Sequence, residues 1–236
     1  MRNVIVTGGT RGIGLAIAVR LAAEGYRVIA VARSLGDLEP VRSDTLQFLQ
    51  ADLAELDSIP ALVSSVTKTL GPLYGLVNNA GIGTSGILAT MPDRQIEALL
   101  RLNIAAPIKL TKHAVRAMMV GGAGRIVMMS SIVAATGYAG LSVYAATKSA
   151  LTGFTHSLAR EVGPLGITVN CVAPGFVETA MTDEMSALDR QRVAKRSALR
   201  RLAEAQDVAH AVCYLLSDGA RNVTGTTLTV DAGTTA

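Results

Sequence analysis

Tyr144 and Lys148 stand four residues apart in the segment Tyr144-Ala145-Ala146-Thr147-Lys148, whose pattern continues as helix to about Arg160. Four residues is one helical turn, so the phenol and the ammonium share a face. A free tyrosine ionises near ~10, and a neighbouring cation favours its phenolate, bringing the group towards the working range of a general acid or base. A pair of this kind can move a proton onto or off an oxygen. The same spacing is also common on ordinary helix surface, so the pair gains meaning only from its surroundings.

A second set of residues can hold an anion. In Thr7-Gly8-Gly9-Thr10-Arg11-Gly12-Ile13-Gly14 the glycines at 8, 12 and 14 permit backbone angles closed to other residues. They also let the main chain approach a pyrophosphate seated at a helix N-terminus. About twenty residues on, an NAD site would place an acidic residue on the ribose hydroxyls. Here the segment reads Val31-Ala32-Arg33-Ser34. Arg33 and Arg11 can clamp a 2′-phosphate through charge-assisted hydrogen bonds, so the expected cofactor is NADP(H). The alternative is a pair of solvated surface arginines.

The elements that must position these groups alternate from end to end. Val4–Thr7, Arg27–Ala32, Leu46–Gln50, Gly75–Asn78, Arg125–Ser130, Thr168–Val172 and Thr226–Val230 read as short buried strands. Helical patterns separate them, the first carrying Ile13, Ile17 and Leu21 on one face. This order predicts an α/β fold: a Rossmann-type, doubly wound parallel sheet of about seven strands with helices on both faces. Residues 1–236 read as one dinucleotide-binding and catalytic domain. The pattern is weakest from about 176 to 201, after Pro174-Gly175, where a substrate flap is expected.

Composition narrows the function classes. Half of the 236 residues are hydrophobic but only 3% are aromatic, so the core is aliphatic. A net charge of +4 without base-stacking aromatics does not support a nucleic-acid role. No apolar run approaches the ~20 residues of a membrane span. The mean hydropathy of +0.39 points to apolar surface buried between subunits. Cys171 and Cys213 give no disulfide framework, which fits a cytoplasmic location. His113, His156 and His210 lack ligand-like spacing, so no metal site is expected. A G-x-S-x-G nucleophile elbow is missing, which disfavours hydrolase chemistry.

Taken together, the turn at 7–14, Asn78-Asn79-Ala80-Gly81, Asn103, Ser131 thirteen residues before Tyr144, Lys148, and Pro174-Gly175 with Thr179 resemble the short-chain dehydrogenase/reductase family. The resemblance spans nearly the whole chain. The closing segment, from Leu202-Ala203-Glu204 through Val223-Thr224-Gly225 to Val230-Asp231-Ala232-Gly233, is most similar to its 3-oxoacyl-[acyl-carrier-protein] reductase branch.

The resemblance implies a ketone reductase for a small carbonyl substrate, a thioester among the candidates. It implies that Tyr144 protonates the carbonyl oxygen, Ser131 hydrogen-bonds it, Lys148 holds the nicotinamide ribose and lowers the Tyr144 pKa, and Asn103 supports a water relay to Lys148. Asp52 and Leu53 would receive the adenine; Asn79, Ala80 and Gly81 would line the cofactor cleft. Pro174, Gly175, Val177 and Thr179 would lie near the nicotinamide. Plainer roles stand beside these: turn formers at Asn78 and Asn79, a helix cap at Asp52, a backbone-bonded Asn103, and strand-end hydroxyls at Ser130 and Ser131.

The family also implies a homotetramer, in keeping with the small residues Ala145, Ala146, Ser149, Ala150 and Gly153 on the Tyr144 helix. Carrier-protein reductases present docking arginines at two positions that here are Gly122 and Leu165, with Arg116, Arg125 and Arg160 nearby. A dehydrogenase for another hydrophobic ketone, or a non-catalytic NADP(H) sensor, are the competing readings. The basic residues Arg190, Arg192, Lys195, Arg196, Arg200 and Arg201 read by default as a solvated helix face.

Overall fold

Strands buried on both faces need no polar alternation, and segments such as Val4–Val6, Val28–Ala32 and Ile126–Met129 are accordingly continuous apolar runs. The computed structural model describes residues 1–177 and 187–236. Its strands are β1 (Asn3–Thr7), β2 (Arg27–Ala32), β3 (Leu46–Gln50), β4 (Leu73–Asn78), β5 (Gly124–Met129), β6 (Ile167–Pro174) and β7 (Thr227–Val230). All pair in parallel, in the order β3-β2-β1-β4-β5-β6-β7. Every residue of β1, β5 and β6 is buried.

The helices are α1 (Gly12–Ala23), α2 (Ile59–Leu70), α3 (Asp93–Leu100), α4 (Ala106–Gly121), α5 (Val133–Thr136), α6 (Ser142–Val162), α7 (Ala187–Arg196) and α8 (Ala205–Leu216). Two apolar layers cover the sheet. On one face Ile5, Leu76, Ile126 and Val169 meet α2, α4 and α6 through Leu62, Leu110 and Leu158. On the other, Val4, Val77, Val127 and Val172 meet α1 and α8 through Ile17, Val212 and Leu216. The two faces take alternate residues of each strand, as the pleat requires. This is the expected doubly wound fold. No helix among the described residues is long and apolar enough to cross a membrane.

Part of the expected flap lies in the described chain. Residues 178–186, with Thr179, lie outside the described residues, and Ala187–Arg196 is helix. Asp189 and Arg192 pair across one turn of α7 at 3.3 Å, with both side chains exposed, in line with a solvated face.

The strand order reverses direction at β1, which has β2 on one side and β4 on the other. The loops leaving β1 and β4 therefore diverge and open a crevice at the carboxyl ends of the strands. Both sequence motifs emerge there.

Candidate active site

The crevice begins at the glycine turn. Gly8 and Gly12 have φ of +62° and +50°, the left-handed region that only glycine enters cheaply. Gly14 is needed for a different reason: a Cβ there would stand 2.0 Å from the Gly8 carbonyl oxygen. Arg11, the residue preceding α1, is extended and no side chain caps the helix. Nor is there an acidic residue in the first turn. The free amides and the positive end of the helix dipole consequently face the cleft, the arrangement that receives a diphosphate.

Thr7 joins this turn to the neighbouring loop. Its Oγ1 accepts the N–H groups of Asn79 and Ala80, each at 2.9 Å, and donates to the Val77 carbonyl at 3.2 Å. The Asn79 amide donates in return to the Thr7 carbonyl at 2.9 Å. Asn79 is thus a brace between two loops more than a simple turn former. Asn78 is no turn former either: it is buried and donates to Thr111 Oγ1 at 3.0 Å.

The resulting cleft holds about 580 Å³. Gly8, Thr10, Arg11, Gly12, Ile13, Gly14, Arg33, Asp52, Leu53, Asn79, Ala80 and Gly81 all line it. Arg11 and Arg33 are exposed at its rim, and neither meets a carboxylate among the described residues. The Asp52 carboxylate accepts the Ala54 N–H at 2.9 Å, so it shapes its own turn as well as lining the cleft. Sequence reading missed Arg101, which also lines the cleft.

At its inner end the cleft continues into a smaller cavity of about 130 Å³, sharing the lining residues Ile13, Asn79 and Gly81. Ser131, Tyr144, Lys148, Pro174, Gly175 and Val177 line this part together. Ser131 follows β5, Tyr144 and Lys148 come from α6, and Pro174 ends β6. Two separate segments thus deliver a hydroxyl, a phenol and an ammonium to one small space, and the end of β6 closes it.

The ammonium is almost fully buried and donates to the Met129 carbonyl at 2.8 Å. Burial pushes its pKa down to about 8. The Lys148 nitrogen lies 5.6 Å from the centroid of the Tyr144 ring. Burial raises the phenol's pKa, and the Ser131 hydroxyl pulls it back only in part. The expected lowering of Tyr144 by Lys148 is therefore corrected. Lys148 is buried and Tyr144 half-buried in the same space, and desolvation of the phenol outweighs the help that Ser131 gives the phenolate.

Asn103 is also buried, in a π-helical turn (Arg101–Ala105) between α3 and α4. Such a turn inserts one residue and re-aims the side chains around it. Its carboxamide donates to the Ile82 carbonyl at 2.9 Å and to Thr147 Oγ1 at 3.1 Å, and accepts the Ile82 N–H at 2.9 Å. Thr147 in turn donates to the Tyr144 carbonyl at 2.7 Å. The side chain is engaged with Ile82 and Thr147 and makes no direct bond to Lys148. Asn103 locks the loop after β4 to the helix that bears Tyr144.

Fold and cleft together define a Rossmann-type α/β protein with a dinucleotide-sized groove leading to a Ser/Tyr/Lys group. Comparison with known proteins narrows the class. The family model described as short chain dehydrogenase matches residues 2–190. The chain is 41% identical over 233 residues to the 3-oxoacyl-[acyl-carrier-protein] reductase of Escherichia coli, covering 97% of this chain and 95% of that one. The protein of the same name from Pseudomonas aeruginosa is 39% identical over 236 residues, covering 97% and 95%. Nodulation protein G of a Rhizobium species is 37% identical over 235 residues, covering 98% and 96%. The chain belongs to the short chain dehydrogenase family, in its 3-oxoacyl-[acyl-carrier-protein] reductase branch. It is an oxidoreductase, and the family uses a nicotinamide cofactor. The uncapped helix, the glycine turn and the volume of the groove fit that group.

Proposed function

We propose that this chain reduces a ketone, a 3-oxoacyl thioester in the first instance, to a secondary alcohol using NADPH, with Tyr144 as the proton donor. The observation that carries the reading is the convergence of Ser131, Tyr144 and Lys148 on the cavity that continues the glycine cleft. A bound reduced nicotinamide supplies the hydride. Tyr144 gives its phenolic proton to the carbonyl oxygen, where negative charge develops only in the transition state. The raised pKa keeps that proton in place until the oxygen demands it. Ser131 donates a hydrogen bond to the same oxygen and orients the carbonyl. The Lys148 ammonium, anchored on Met129, holds the ribose edge and offsets charge near the phenol.

Arg11 and Arg33 at the rim support the choice of NADPH, since no acid stands where ribose hydroxyls would be bound. Asp52 and Leu53 would receive the adenine, and Pro174, Gly175 and Val177 would border the nicotinamide, as would Thr179. The exposed small-residue face of α6, at Ala146, Ser149 and Gly153, suits close approach of a second subunit. We read residues 1–236 as one binding and catalytic unit that works as a homotetramer.

A second reading, a reductase for free hydrophobic ketones, is favoured by one observation. A Cβ on Gly166 would lie 2.9 Å from the Gly122 carbonyl, so positions 122 and 165 adjoin, and neither carries a cation. Arg125 cannot substitute, because it is buried. Arg116 and Arg160 are exposed. Turnover of acetoacetyl thioesters, on carrier protein and on coenzyme A, set against simple ketones, decides between them. Turnover confined to simple ketones removes the thioester assignment.

A further inference from the structure

The π-helical turn that carries Asn103 begins with Arg101, and the two residues reach opposite walls of the cleft. Asn103 bonds Ile82, in the loop after β4, through both its amide nitrogen and its oxygen. Arg101 points the other way: its Nε donates to the Ala54 carbonyl at 2.6 Å. Ala54 belongs to the loop after β3 that presents Asp52 and Leu53 to the cleft, and Ala54 lines the cleft itself. Leu53 anchors that loop in the core and the Ala51 N–H bonds the Ala32 carbonyl at 2.9 Å, so the segment from Ala54 outward is the part left to be fixed. Asp52 turns it locally, through the Ala54 N–H at 2.9 Å and the Glu55 N–H to its own carbonyl at 3.1 Å. Lys109 reaches Asp57 at 2.9 Å, but the Asp57 side chain is fully exposed and the pair is weak.

We propose that Arg101 is a positioning residue for the dinucleotide: its bond to Ala54 fixes the wall that faces the adenosine half, and one π turn thereby sets the width of the cleft from both sides. This rests on the NADPH reading above. A charge-assisted bond to a carbonyl beside solvent changes an equilibrium by about fivefold. The effect falls on cofactor binding and not on the proton transfer at Tyr144, which lies at the other end of the cleft.

The test compares Arg101→Met with wild type by hydrogen exchange of the ligand-free protein, calorimetric binding of 2′,5′-ADP, and steady-state kinetics. Lys109→Met, which releases the same loop at its exposed end, is the control. Arg101→Met is expected to speed exchange at Ala54 and Glu55, weaken 2′,5′-ADP and raise the KM for NADPH, each by about fivefold, with kcat within about twofold. Lys109→Met is expected to change KM by less than about twofold. The proposal is overturned if Arg101→Met leaves 2′,5′-ADP affinity unchanged, whether or not exchange quickens. A kcat that falls in step with 2′,5′-ADP affinity overturns it as well. Wild-type protein that fails to bind 2′,5′-ADP at all would refute the NADPH reading instead, and the exchange experiment would still report on the loop.

Discussion

Lys148 places its buried ammonium 2.8 Å from the backbone carbonyl of Met129. A cation sealed against a neutral acceptor is held at a cost, which is why its pKa falls from 10.5 to about 8. Between those two values the unfolded chain binds a proton that the folded chain does not. Stability therefore rises with pH through that window, and the burden of the charge is full below about 8. The shift corresponds to ~3 kcal/mol. Lys148→Met, which keeps the length of the side chain, should raise the melting temperature near pH 7 by about 6–12 °C while abolishing turnover. Differential scanning calorimetry from pH 7 to 10 checks this: the advantage of the variant should shrink as pH rises. A variant less stable than wild type throughout would show that the ammonium contributes more than it costs.

Ketone reduction needs the proton on Tyr144 and the charge on Lys148. The phenol's raised pKa keeps it protonated through neutral and mildly alkaline pH, whereas Lys148 loses its charge near 8. The kcat/KM for NADPH should therefore be flat below about pH 8 and fall above it. Alcohol oxidation, which draws on the phenolate, should rise over the same range. Parallel pH profiles in the two directions would contradict this assignment.

Thr7 ties two motifs that are seventy residues apart, with its hydroxyl oxygen serving Asn79 and Ala80. Thr7→Val keeps the shape but leaves the half-buried Ala80 N–H without its acceptor and the Asn79 N–H with the Val77 carbonyl at 3.1 Å alone, a loss of ~1–3 kcal/mol. Denaturant unfolding should register that loss, and NADPH affinity should fall because the glycine turn is no longer braced. Thr7→Ser should restore most of both. Equal stability of Thr7→Val and wild type would show that the loops are held by other contacts.

Arg33 sits where an NAD-specific protein would carry an acid. Arg33→Ser should weaken NADPH about 10- to 100-fold and leave NADH within about threefold, since only the 2′-phosphate loses a partner. The ratio of kcat/KM for the two cofactors reads this out. Equal losses with both would place Arg33 away from that phosphate.

How much of this was legible in the sequence depended on the kind of interaction. Strand β2 and strand β3 were read to their end residues, and the others within two, because burial on both faces writes itself as apolar runs in the central strands and the edge strand β3 (LQFLQ) alternates apolar with polar. Ser131, Tyr144 and Lys148 were legible because side-chain chemistry and helical spacing both point to them. The contacts that hold them were not. Lys148 leans on the carbonyl of Met129, a group that every residue possesses and no pattern marks. Arg101 and the π turn escaped because an inserted residue inside a helical pattern leaves no periodic signature, and the Arg101 acceptor is again a backbone carbonyl. The direction of the Tyr144 shift was misread for a related reason. Spacing along a helix reports which side chains are neighbours, but desolvation depends on what closes over them, here the ends of β5 and β6.

The central claim is tested most directly by Tyr144→Phe. Ketone-dependent oxidation of NADPH should fall by about 10³-fold, within the range of a lost general acid. A fluorescence titration of the same variant should give an NADPH Kd within about threefold of wild type, because the cleft is built by other residues. Turnover by Tyr144→Phe at a tenth of the wild-type rate or better would mean that the proton comes from elsewhere, and the account would fail.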